Sequence, residues 1–310
     1  MKMSDSRKMQ EPFVIGRSRA IRNLLDFVQK AASSDSNVLL LGETGVGKEI
    51  AAMSIHYQSK KRHGPFCKLN CANLCENLTE SELFGYQKGA FTGAFGNKLG
   101  LIEAANGGTF LFDEIGDISP WFQAKVLSVV EDKVIRRIGD NNTRKIDTRF
   151  IFATNKDLRT LVSKGKFRED LYYRISILTH TIPPLRKRNE DIPLLINEFI
   201  ERINATIPTK ISIDESAIVK LCEYSFPGNV RELENILKRA ADFCVNKVIS
   251  DGDIIFQPIY QQNSKAARGK YKTLDILNVL FECENNKTKA AKQLGMSRVH
   301  LYRLLRKIDI

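Results

Sequence analysis

The sequence predicts a parallel α/β domain followed by helical segments. Three observations predict it. Short apolar runs ("NVLLL", "PFCKLN", "GTFLF", "RFIFATN", "SILTHTI") alternate with helical stretches up to about residue 182, the pattern of a mostly parallel sheet covered on both faces. The first run enters a glycine-rich loop that opens a helix. After "PPLRKRNEDIP" the strand-like runs stop, and residues from about Ile192 to Val245 read as helices.

Composition bounds the chain before any motif does. With 310 residues, 43 % of them hydrophobic, it is an ordinary globular chain of two or three domains. Its longest apolar runs are too short to span a bilayer, and "MKMSDSRKMQ" lacks the apolar centre of a secretion signal. The expected location is cytoplasmic, with no membrane partner. Six cysteines are then expected as free thiols. Cys67, Cys71 and Cys75 are four apart, but no histidine completes a zinc set, and they read as small buried thiols. The net charge is +12. The last 51 residues hold 11 Lys and Arg against 4 Asp and Glu, which suits a polyanionic partner and equally a solvated basic surface.

In chain order, residues 1–11 are polar and expected to be disordered. A helical period begins at Phe13 and places Ile21, Leu24, Leu25 and Val28 on one face. Gly42, Glu43, Thr44, Gly45, Val46, Gly47 and Lys48 fit the phosphate-loop pattern GxxxxGK between a strand and a helix. Its N–H groups and helix start favour phosphate oxygens, and the Lys48 ammonium reaches the terminal phosphates. Glu49 stands where most such loops place a Ser or Thr on magnesium, so more of the metal shell must come from elsewhere. "GGTFLFDE" supplies Asp113 and Glu114 at the carboxyl end of an apolar strand, where parallel sheets bind ligands. Asp113 is expected to hold Mg2+ and Glu114 to polarise the attacking water. "RFIFATN" ends in Asn155, which either orients that water or caps a helix. "VIRRIGDNNTRKI" reads as a hairpin turning at "GDNN".

The segment "KGAFTGAF" mounts Phe91 among Gly89, Ala90, Thr92, Gly93 and Ala94. It buries too little apolar surface to be a core element and reads as an arch that presents one aromatic. Near the C-terminus, residues 272–310 read as three helices. The second runs from about Lys287 to Leu294, Gly295 makes a turn, and Ser297 caps the third. Arg298, Val299 and Arg303 then lie on the exposed half of a recognition helix, where arginine suits guanine edges or phosphates.

"GETGVGKE", "ELFGYQKGAFTGA", "GGTFLFDEI", "FREDLYYRI", "PPLRKRNEDI" and "PGNVRELEN" occur together in this order. The chain thereby resembles the bacterial AAA+ activators of sigma-54-type RNA polymerase from about Phe13 to its C-terminus. The resemblance implies an AAA+ P-loop ATPase of α/β class with a parallel sheet, a helical lid and a C-terminal all-α Fis-type helix-turn-helix. The implied division is a nucleotide-binding subdomain at 12–182, a lid at 183–258, a linker at 259–271 and a DNA-binding domain at 272–310. ATP and Mg2+ are the implied cofactors. The implied partners are the sigma-54 polymerase holoenzyme and double-stranded enhancer DNA. A homo-oligomeric ring, expected as a hexamer, or a mixed ring with a paralogue follows from the same resemblance.

It also implies residue roles. Asn70 hydrogen-bonds Glu114 and turns with nucleotide state. Arg168 and Arg174, six apart on a helix in "FREDLYYR", are the arginine fingers entering the neighbouring site; they need not face the same way, which leaves open that one is mainly structural. Arg231 senses nucleotide from the lid, and Ile15 in "FVIG" lies near the adenine. Gly89 to Ala94 contact the sigma factor. Phe226 takes the place of the usual Trp before "PGNV". The family tolerates an acidic residue at Glu49. Only about a dozen residues precede the nucleotide-binding region, so the expectation is a member without a sensory domain, controlled in trans by a regulatory protein, by expression level or by a paired subunit. Two rivals are another AAA+ remodeller, opposed by "GAFTGA", and a nucleotide-switched repressor, opposed by Glu114, Arg168 and Arg174.

Overall fold

The computed structural model describes residues 14–73, 76–244 and 247–256 and, towards the C-terminus, 279–280, 283, 286–294 and 301. The chain divides into two compact units, Met1–Gln257 and Pro258–Ile310.

The first unit opens with α1 (Arg19–Ala32), whose N-cap Ser18 accepts from the Ile21 N–H. The helix starts six residues after Phe13. Ile21, Leu24, Val28, Ala31 and Ala32 are buried, but Leu25 is 38 % exposed because it falls at the edge of the stripe. β1 (Val38–Leu41) leads through the glycine loop into α2 (Lys48–Tyr57). β2 (Phe66–Asn70), α3 (Glu76–Phe84), β3 (Gly85–Tyr86), β4 (Lys98–Leu99), α4 (Leu101–Ala104) and β5 (Thr109–Asp113) follow. Next come α5 (Pro120–Asp132), β6 (Val134–Arg136), β7 (Thr143–Lys145), β8 (Arg149–Thr154), α6 (Leu158–Ser163), α7 (Glu169–Ile175) and β9 (Leu178–Thr181).

Five strands form one sheet in the order β2-β5-β8-β1-β9, every neighbouring pair parallel. The period of two divides its side chains between two cores. Leu39, Phe110, Phe112, Phe150 and Phe152 face one side and pack with Val126, Leu171 and Ile175. Val38, Leu40, Leu111, Ile151 and Ala153 face the other and pack with Ile21, Val28 and Ile55. The Phe112 and Phe152 rings stack at 5.3 Å between centroids. Such a sheet places the carboxyl ends of β1, β5 and β8 side by side, which is where the site lies.

α8 (Ile192–Asn204), α9 (Glu215–Cys222) and α10 (Asn229–Phe243) form the lid around Ile196, Leu221, Phe226, Leu233 and Leu237. Two short parallel strands, β10 (Ser212–Ile213) and β11 (Val248–Ile249), lie in this otherwise helical region. Two-residue strands carry no periodicity, so the sequence pattern does not announce them. Phe226 is fully buried, with its ring edge-on to Tyr224 at 5.1 Å.

In the second unit, α11 (Lys287–Gln293) is capped by Asn286, whose side chain accepts from the Thr288 and Lys289 N–H groups. Val279, Leu280, Ala290, Ala291, Leu294 and Leu301 form its core. Arg298, Val299 and Arg303 lie outside the described residues, as do Cys75, Gly295 and Ser297. No helix among the described residues is long and apolar enough to cross a membrane.

Candidate functional site

The glycine loop connects β1 to α2 and bonds to its neighbours through its backbone. Gly42 N–H donates to the Thr154 carbonyl of β8 at 3.2 Å. Lys48 is buried, and its ammonium donates to the Gly42 and Glu43 carbonyls at 2.9 and 3.3 Å. It also lies 3.4 Å from Glu114 Oε1.

Glu114 follows β5 in a left-handed backbone conformation, φ 54° and ψ 46°. A non-glycine residue held there is strained, and such strain collects at functional sites. Its second carboxylate oxygen accepts from the Asn155 backbone N–H at 3.0 Å, and the Asn155 amide donates to Thr44 Oγ1 at 3.0 Å. Thus Thr44, Lys48, Glu114 and Asn155 converge from three strand ends. Asn155 does not cap the next helix; Asp157 does, accepting from the Arg159 and Thr160 N–H groups. Asp113 is half-buried. Burial first, and then the Glu114 charge, push its carboxyl above the ordinary aspartate range, with Lys48 opposing.

Asn70 ends β2 in register with Asp113. The expected contact from Asn70 to Glu114 is not the one formed. Asn70 Oδ1 accepts from the Ala72 N–H at 2.9 Å, while the Glu114 carboxylate is drawn to Lys48 and Asn155. Glu49 forms an exposed ion pair with Lys68 of β2. Arg168 and Arg174 do not share a helix. Arg168 is the N-cap residue of α7 and makes a two-point contact with Asp170 at 2.7 and 3.0 Å, whereas Arg174 lies exposed in the last turn. The Arg168 segment is fixed by buried Gln123, whose Oε1 accepts from the Arg168 N–H at 2.8 Å. Cys71 is buried, which pushes its thiol pKa up, and among the described residues no cluster of three or more His, Cys, Asp or Glu is arranged for a metal ion.

The lid closes directly on the loop. Val230 N–H donates to the Gly45 carbonyl at 3.0 Å, and a Cβ on Gly45 would lie 2.4 Å from the Gly228 carbonyl oxygen, so only glycine permits this approach. Asn229 is fully buried with φ 56°. Its Oδ1 accepts from the Leu185 N–H at 2.8 Å; its amide donates to the Thr44 carbonyl at 3.0 Å and to Glu43 at 3.2 Å. Arg186 grips the same Glu43 through two bonds of 2.5 and 2.7 Å. That ion pair first, and Asn229 with it, holds the Glu43 carboxyl down at about 2 against the opposing effect of burial. Arg188 adds a bond to the Val46 carbonyl at 2.8 Å, and buried Asp191 accepts from the Arg17 and Ser18 N–H groups. Ile15 packs on the lid core, and Arg231 is exposed at the start of α10. Sequence reasoning missed Asn229, Arg186, Arg188, Asp191 and Gln123. The signal for Asn229 was the "GN" pair after Pro227, a left-handed turn signature.

The arch spans β3 to β4, which pair antiparallel and close its base. Lys88 N–H donates to Asn97 Oδ1 at 2.8 Å, and Gly89 N–H to the Ala94 carbonyl at 2.9 Å. Gly93 has φ 104° with open space around it, so backbone conformation and not room requires glycine. Phe91 is 45 % exposed and lies edge-on to Tyr86 at 5.0 Å. Ala94 is buried, which makes it a foot of the arch and not a free part of its tip. The hairpin β6–β7 meets the arch through a Tyr86 to Ile138 bridge.

A parallel sheet with a phosphate loop at its carboxyl edge, and a helical lid hydrogen-bonded to that loop, defines a nucleotide-binding protein of AAA+ architecture. The sigma-54 interaction domain matches residues 14–181, the AAA+ ATPase lid domain 186–270 and the Fis family of bacterial regulatory proteins 276–307. The chain belongs to the sigma-54 interaction domain family. It is 48 % identical over 251 residues to the Nif-specific regulatory protein of Rhizobium meliloti, covering 81 % of this chain and 46 % of that protein. It is 41 % identical over 306 residues to regulatory protein AtoC of Escherichia coli, covering 92 % of this chain and 65 % of that protein. The chain spans less than half the length of that Nif-specific relative. The crystal structure of NtrX from Brucella abortus in complex with ATP superimposes with a TM-score of 0.72 at 28 % identity, covering 98 % of this chain and 71 % of that one.

Proposed function

We propose that this chain is a sigma-54-dependent transcriptional activator. It hydrolyses ATP in an oligomeric ring, expected as a hexamer or a mixed ring with a paralogue, and remodels the closed sigma-54 polymerase–promoter complex. Residues 272–310, through Arg298, Val299 and Arg303, bind upstream enhancer DNA. The observation that carries the reading is the direct bonding of loop, catalytic carboxylate and lid in the domain that also bears the arch: Gly45 to Val230, Thr44 to Asn229, and Glu114 to both Lys48 and Asn155.

The residues suit ATP and Mg2+. Glycine-loop N–H groups and Lys48 would take the phosphates, and a half-buried Asp113 beside Glu114 offers a carboxylate for the metal. The metal, when bound, neutralises phosphate charge; with no three-carboxylate cage among the described residues, most of its ligands would be phosphate oxygens and water. Glu114 accepts the proton of the attacking water as water adds to the terminal phosphorus and ADP leaves. Asn155 aims Glu114 through its N–H. Arg168 and Arg174 of a neighbouring subunit neutralise charge on the transferring group, and Arg231 reports nucleotide to the lid. Asn70, beside Asp113, links the site towards the arch.

The arch grips the sigma factor through Gly89 to Gly93, with Phe91 as its aromatic and buried Ala94 as its foot. Phe91→Ala should bind DNA yet fail to bind sigma-54 trapped with an ATP transition-state analogue, and fail to open promoters. A variant that opens promoters normally per folded molecule would make Phe91 a packing residue of its own domain.

A further inference from the structure

Phe95 lies one residue beyond the arch motif and is the most exposed large apolar residue among those described, at 90 %. Phe91, four residues earlier, is 45 % exposed, with its ring edge-on to Tyr86. Among the described residues the Phe95 ring has no aromatic neighbour, whereas ring pairs are common elsewhere in this unit.

The backbone beneath Phe95 is not loose. Its own N–H donates to the Gly93 carbonyl at 2.9 Å. Ala94 before it is buried and bonded at both ends, donating to the Phe91 carbonyl at 3.0 Å and accepting from the Gly89 N–H at 2.9 Å. Beyond it, Asn97 ties the returning limb to Lys88, and β4 pairs with β3. A whole phenylalanine is therefore held in water by a fixed turn, continuous with the segment that carries Phe91. Water makes that placement unfavourable for the isolated chain, and a partner that covers the ring recovers the loss.

We propose that Phe95 is a second apolar anchor for the sigma factor, presented on the returning limb of the arch one residue after Ala94. This rests on the sigma-54 reading above. Phe91 precedes and Phe95 follows buried Ala94 in the chain, and both rings are exposed, so the complementary surface is an apolar one that takes aromatics. In this structure Phe95 is the more accessible of the two, which suits it to first contact, with Phe91 adding its ring when it leaves Tyr86.

The test uses the full chain, purified sigma-54 labelled for anisotropy, and ADP with aluminium fluoride. Phe95→Ala should keep its unfolding midpoint and its assembly by sedimentation, and should lose roughly tenfold or more in affinity for sigma-54. Phe95→Leu, which keeps most of the apolar surface, should recover most of that loss. Binding of Phe95→Ala equal to the unaltered protein overturns the proposal while leaving the sigma-54 reading intact. Loss of assembly in Phe95→Ala also overturns it, because the ring would then be a contact between subunits. If the unaltered protein binds no sigma-54 under any nucleotide, the functional reading fails and takes this proposal with it.

Discussion

Glu114 shows how one residue's backbone and side chain are set for the same task. Its left-handed conformation turns the chain immediately after Asp113, so two consecutive carboxylates occupy different environments. One is half-buried with its pKa raised, as a candidate metal ligand; the other contacts Lys48 and Asn155. Glu114→Gln should bind ATP and lower turnover by roughly 10²–10⁴-fold, because an amide cannot accept the proton; nucleotide binding and phosphate release measured on the same preparation check this. Glu43 has a different job from its loop neighbours, since its carboxylate faces Arg186 and Asn229 of the lid. Its folded pKa of about 2 lies below its ordinary value of 4.5. Its stabilising contribution is therefore full above about pH 4.5 and is lost as pH falls towards 2. Both partners are more than a third exposed, so the contribution is small, under about 1 kcal/mol. Urea titrations across that window should show an acid-side slope that Glu43→Gln removes.

At the scale of elements, α10 begins at the residue that joins lid to loop. Asn229→Ala leaves the buried Leu185 N–H without its acceptor and keeps a side chain in the left-handed region. The expected cost is roughly 2–4 kcal/mol. Asn229→Gly removes the backbone strain and keeps the hydrogen-bond loss, so it should be the milder change; denaturant midpoints of the two variants separate the effects. The strands that carry chemistry were legible from sequence because apolar runs ending in polar residues mark buried parallel strands, as "TFLFD" and "RFIFATN" do here. The glycine loop was legible because its spacing is dictated by backbone geometry. The lid contacts to the loop through Asn229, Arg186 and Arg188 were not legible, because partners such as Glu43 and Arg186 are 143 positions apart and each residue alone reads as an ordinary turn or surface group. The separate positions of Arg168 and Arg174 were hidden for a related reason. "FREDLYYR" looks helical throughout, yet Arg168 precedes the helix and its N–H is taken by Gln123.

At the scale of the whole molecule, Glu114 and Arg168 are engaged by different partners. Arg168 makes its two-point contact with Asp170 of its own helix, while Glu114 lies at the sheet edge bonded to Lys48 and Asn155. If the fingers serve a neighbouring subunit, mixing Arg168→Ala with Glu114→Gln should restore activity at interfaces that pair an intact acid with an intact finger. Phosphate release from rings shown by sedimentation to be mixed should exceed that of either parent; a mixture as inactive as both parents counts against a shared site. The closure of the lid on the glycine loop has a kinetic meaning as well. The hydrogen bonds at Gly45, Thr44, Glu43 and Val46 can break while the two cores flanking the sheet and the core of the lid stay packed. Opening there is expected at the low-energy end of the native ensemble, below global unfolding, on the timescale of collective motions, microseconds to milliseconds. The expected consequence is that the dwell time of that small opening, and not any melting of the domain, sets how quickly one nucleotide can replace another.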